Sequence, residues 1–171
     1  MEFDFARHVL RLCKKSKRDN FLNDLRYTRS LNKVVEWCRS KGVTVQFHTA
    51  SCGQYVPEDK TIFITQRARP KYQLHVLLHE CGHLLIDKHD KNDRFKRGYK
   101  GDADRHVNRT VTHRTDVVLE EAEAWERGWK LACRLNVLND DDRLAYDRTR
   151  TLNLHTYFSW AVRVEGYTRK Y

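Results

Sequence analysis

No apolar run in the 171 residues approaches the 18 or so that a membrane span needs, so a transmembrane helix is not expected. The opening segment, MEFDFARHVLRLCKK, lacks the basic-then-apolar order of a secretion signal, and a cytoplasmic protein is the expectation. Cysteine pairs are missing as well. Cys13, Cys38, Cys52, Cys81 and Cys133 are odd in number, widely scattered and form no C-x-x-C, which argues against both a disulfide framework and a thiolate zinc knuckle. They read as buried small apolar residues. There is no internal repeat and no low-complexity tract.

What is present suits one compact soluble domain spanning 1–171, because one hydrophobic core commonly serves roughly 100 to 200 residues. Apolar residues make up 40% and charged residues 33%, and the formal net charge is +10. That charge favours encounter with nucleic acid or other anionic partners, although a solubilising basic surface accounts for it equally.

The first forty residues read as helices. Leu31, Val34, Val35 and Cys38 fall at helical spacing, and Gly42 follows where a helix would stop. Val43, Val45 and Phe47 then alternate with polar residues, as do Ile62 and Ile64 with Phe63 and Thr65. Two short strands are therefore expected, paired as a hairpin or meander around the turn-rich TASCGQYVPED. Pro70 suits the first position of a helix of about 20 residues through YQLHVLLHECGHLLIDKH, with Leu74, Leu78, Cys81 and Leu85 as its apolar stripe. Residues 90–116 are polar, basic and broken by Gly98 and Gly101, which predicts a long surface loop or lid. A helix over about 117–136 follows, and after the cap-like cluster 139–142 another continues through 139–171. The pattern is α+β, mainly helical with a small sheet.

The chemistry lies in His79-Glu80-Cys81-Gly82-His83, an H-E-x-x-H match. Residues four apart on a helix share a face, so both imidazoles can reach one metal ion. Glu80 projects about 100° round the helix from His79, beside the metal, where a carboxylate can act as general base toward water. A catalytic zinc normally has three protein ligands, so a third must come from downstream. In VVLEEAEAWERGWKLA, Glu123 and Glu126 each have a cation four residues on, Arg127 and Lys130, as on a solvated helix face. Glu121 instead shares a stripe with Val117, Val118, Ala124, Trp125, Gly128 and Ala132, where a lone carboxylate needs a strong partner such as a metal ion. Ala124, Gly128 and Gly82 would let the two helices approach closely. Glu120 is the fallback ligand.

The strand GVTVQF, a glycine-containing turn, the strand TIFIT, the helix with HECGH and a later helix opening E-x-x-A together resemble the ImmA/IrrE-type zinc metallopeptidase family, within the gluzincin-like group. The resemblance covers 42–132, with 90–116 as a basic insertion. It implies a zincin-like fold, zinc on His79, His83 and Glu121, Glu80 as general base, and a regulatory protein substrate. Trp125, Arg127 and Gly128 depart from the Asn and Phe-Ala common in that family. Peptide deformylase is rejected, since the surroundings of Cys52, SCGQY, lack the glutamate and leucine that flank its cysteine ligand.

Other residues offer supporting roles. His75, one turn before His79, is left out of the ligand set. His106, His113 and Tyr157 are candidates for stabilising an oxyanion, and Asp87 reads equally as a residue orienting His83 or as an exposed one near the helix end. The basic cluster at 91–114, with Phe95 and Tyr99, could contact nucleic acid. The expectation is a zinc-dependent endopeptidase acting on a protein or peptide, whether regulatory or DNA-bound. The alternative is an inactive zinc-containing basic binding or structural protein, for example a nucleic-acid or viral assembly partner.

Overall fold

The computed structural model describes the backbone of residues 2–50, 53–89, 94–95 and 110–162, and the side chains among them apart from 2–15 and 89. Where helices were expected over 1–41, one continuous helix, α1, runs Glu2–Ser40. Its end is set by backbone geometry. Gly42 adopts φ 73°, its N–H reaches the Arg39 carbonyl, and the Val43 N–H reaches the Cys38 carbonyl at 3.0 Å. This is a Schellman stop, in which a left-handed residue turns the chain so that orphan carbonyls are satisfied.

Three strands follow: β1 (Thr44–His48), β2 (Gln54–Val56) and β3 (Thr61–Thr65). Their order is β1-β3-β2, so the expected hairpin between the two longer strands is corrected. β1 runs parallel to β3, Val45 opposite Ile62, while β2 is the antiparallel partner, Tyr55 opposite Ile62. The physical reason is the length of the connection. A chain of about a dozen residues between two strands is long enough for a parallel return, and the segment expected to be only a turn supplies the third strand on the way.

Helix α2 (Pro70–His89) is central, packing against α1, α3 (Val111–Arg134), α4 (Asp140–Val162), β2 and β3. Leu74, Leu77, Leu78, Cys81 and Leu84 are buried on it, and Leu85 is partly so. α3 begins six residues earlier than expected, inside the predicted insertion. Thr110 caps it by accepting from the His113 N–H at 3.0 Å, a polar start that apolar periodicity does not reveal. Asn136, at φ 51°, closes it with the same geometry as Gly42. α4 starts as its cluster of polar residues implied: the Asp142 carboxylate accepts from the Asn139 N–H at 3.2 Å, and the Asp142 N–H donates to the Asn139 backbone carbonyl at 2.9 Å. Most of the basic cluster, including His106, lies outside the described residues, as do residues 163–171 of the expected last helix. Among the described residues, no helix is long and apolar enough to cross a membrane.

Candidate metal centre

The spacing of His79 and His83 puts both imidazoles on one side of α2, their ring centroids 4.7 Å apart. α3 supplies the carboxylate because it can come very close. A Cβ on Gly82 would overlap the Ala124 backbone carbonyl, and one on Gly128 would lie 2.5 Å from the Leu78 carbonyl oxygen. The helices pack almost backbone to backbone at these points, as the small residues implied. Glu121 is thereby carried against the histidines, 1% exposed among Val117, Val118, Ala124 and Trp125.

His79 Nε2 lies 3.1 Å from Glu121 Oε2, and His83 Nε2 lies 3.3 Å from Oε1. One donor atom from each of these three residues falls within 4.8 Å of the others, and the triad could hold a metal ion. Two imidazoles offering the same ring nitrogen, with one carboxylate, make up a donor set suited to a divalent ion that keeps a coordination position open. Burial alone would raise the Glu121 carboxyl, but hydrogen bonds with His79 and His83 outweigh it and hold the group well below the usual carboxylate range. Burial also opposes a charge on His83, yet hydrogen bonds to Glu120 and Glu121 raise its pKa to about 10.

The fallback ligand Glu120 takes a different place. Its Oε1 stands 3.4 Å from His83 Nδ1, the nitrogen turned away from the triad, where it can orient the ring. Of the two readings of Asp87, a partner of His83 or an exposed residue near the helix end, the second holds: it is exposed and faces the Tyr55 hydroxyl. Burial and that carboxylate push the Tyr55 phenol up to about 12.

Glu80 is buried between α2 and the chain entering β2. Its carboxylate accepts from the Tyr55 backbone N–H, and Oε1 lies 3.0 Å from where a Cβ on Gly53 would stand. Burial is the largest influence on its pKa, which is raised despite the lowering effect of His79, His83 and the Tyr55 N–H. A carboxyl shifted upward beside a triad that could hold a metal ion is suited to taking up and returning a proton.

No family model, curated protein or solved structure matches the chain. The functional reading therefore rests on the side chains themselves. His75 stands apart from the triad, as expected, with Nδ1 2.8 Å from Thr149 Oγ1. His113 is not on a lid: it is buried in the first turn of α3, edge-on to Trp160. Tyr157 is half-buried on α4. Neither belongs to the converging set. Glu123 pairs with Arg127 at 2.8 Å and Glu126 with Lys130 at 3.7 Å, as the spacing implied.

The sequence reading missed three contributors. Glu120 as the partner of His83 Nδ1 could have been anticipated from its position next to Glu121. The Tyr55 N–H depends on a strand that was not expected. Trp125, whose indole stacks on His79 with centroids 4.4 Å apart and planes 19° apart, stood out in the sequence for its place on the buried stripe and as a departure from the resembled family, not as a neighbour of His79.

Proposed function

We propose that the chain is a zinc-dependent endopeptidase of zincin-like fold, similar to the ImmA/IrrE type, that hydrolyses a peptide bond in a protein substrate. The observation that carries this reading is the placement of Glu80, a buried carboxylate adjoining His79, His83 and Glu121 and fixed by the Tyr55 N–H. A purely structural zinc site has no use for such a neighbour, since its ligands alone complete it. When bound, a divalent ion supplies positive charge that polarises a carbonyl and makes water acidic enough to lose a proton near neutral pH. Glu80 accepts that proton on its carboxylate and passes it to the nitrogen of the leaving amine. Glu120 keeps the His83 ring in register. The resemblance points to a regulatory protein as substrate, the net charge of +10 favours one bound to DNA, and a cytoplasmic setting belongs to the same reading.

The deciding experiment compares wild type with Glu80→Gln, each zinc-loaded, on a broad peptide library. Glu80→Gln is expected to keep one zinc per chain and to lose hydrolysis by roughly 10²- to 10⁴-fold, the usual contribution of a general base. Equal rates for the two proteins would dismiss the mechanism. Zinc-bound wild type that cleaves nothing but binds nucleic acid in a salt-sensitive way would favour the inactive binding protein instead.

A further inference from the structure

A metal-bound histidine usually donates its outer ring N–H to a carboxylate, carbonyl or water, and this bond fixes the plane of the ring. The two histidines here differ in that respect. His83 has Glu120 at its Nδ1, 3.4 Å away. His79 Nδ1 is buried and has no hydrogen-bond partner among the described residues. What His79 has instead is an aromatic face: the Trp125 indole lies 4.4 Å from it, within 19° of parallel.

We infer that Trp125 is a positioning residue for metal binding, holding the His79 imidazole by stacking where its counterpart His83 is held by a carboxylate. Trp125 lies four residues after Glu121, on the same face of α3. One stripe of α3 thus meets His79 twice, Glu121 at Nε2 and Trp125 at the flat of the ring. The indole is itself held in place. The Tyr146 hydroxyl donates to the Trp125 backbone carbonyl at 2.9 Å, and the Tyr146 ring stands at 70° to the indole, 5.4 Å away. Trp125 Nε1 is buried with no hydrogen-bond partner among the described residues, so shape and stacking, not a polar anchor, fix the indole.

This inference rests on metal binding by His79, His83 and Glu121 but not on hydrolysis, and it is tested by affinity. Zinc binding is measured by competition with a chromophoric chelator for wild type, Trp125→Phe and Trp125→Leu. Cobalt absorption spectra are recorded alongside. Loss of the stacking face in Trp125→Leu should weaken zinc binding by about 10- to 100-fold, the range for losing an outer support of a ligand, while saturation still reaches one ion per chain. Trp125→Phe keeps an aromatic face and should stay within about threefold of wild type, with the wild-type cobalt spectrum. If Trp125→Leu melts earlier yet binds zinc as tightly as wild type, the indole is ordinary core packing and the inference is overturned. If wild type binds no zinc, the metal reading fails and takes the inference with it.

Should Trp125→Leu fail to fold, nuclear magnetic resonance on the wild type decides. The indole ring current should hold the His79 ring protons upfield of those of His83 both before and after zinc is added. Loss of that upfield shift on zinc addition would show that the metal-bound ring is not held by the stack.

Discussion

Between His79 and His83 stands Gly82, and the side chain it lacks sets how near α3 can come. A Cβ there would overlap the Ala124 carbonyl, which is backbone and cannot swing aside. Gly82→Ala should therefore separate the helices, destabilise the fold by roughly 1 to 3 kcal/mol as overpacking does, and move Glu121 out of bonding distance. Thermal melting and bound zinc per chain would both fall; a protein that melts later and keeps a full zinc complement would contradict this account. At this scale the sequence was most informative. The convergence of His79 and His83 was legible from spacing, and that of Glu121 from being the one glutamate on an apolar stripe. Asp87 was left open between orienting His83 and lying exposed near the helix end, because helical spacing from His83 is a necessary condition and not a sufficient one. The side chain is exposed and faces Tyr55, whose strand no periodicity announced.

Among the elements, α2 is decisive, and it binds the others through polar as well as apolar contacts. His75, fully buried, bonds Thr149 of α4 and lies edge-on to Tyr27 of α1 and Tyr146 of α4. Burial, reinforced by the charge of Lys71, lowers its pKa from 6.5 to about 4. Above pH 6.5 the residue is neutral in both folded and unfolded chains and costs nothing. As pH falls from 6.5 toward 4 the unfolded chain takes up a proton that the folded chain refuses, so stability declines, by about 3 kcal/mol in all. Denaturation midpoints measured between pH 4 and 7.5 should show this slope in wild type and a flatter one in His75→Gln, which cannot titrate. Identical slopes would mean that His75 is not the responsible group. The all-round burial of α2 also explains why its single stripe of Leu74, Leu78, Cys81 and Leu85 understated the core: Leu77, Leu84 and His75 face other neighbours. Sheet order was illegible for a related reason. Alternation shows that Ile62 and Ile64 face inward but says nothing about which strand lies beside them or in which direction.

In the molecule as a whole, the triad joins two helices that are separated in sequence by the basic stretch, so an ion on it would tie distant parts of the chain together. The unfolded chain offers no such preformed site, and binding free energy therefore adds to folding free energy. With free zinc at about 100 times the dissociation constant, the gain is about 2.7 kcal/mol. For a chain of this length that corresponds to a rise in melting temperature of roughly 5 to 10 °C. His83→Ala removes one of the two imidazoles, and its melting temperature should stay nearly constant as zinc is added. A zinc-induced shift of equal size in wild type and His83→Ala would show that the ion binds elsewhere on the chain, for example through the histidines and carboxylates of its charged surface. Magnesium offers a further control: an ion that prefers octahedral oxygen ligands should give little shift at a site built from two imidazoles and one carboxylate.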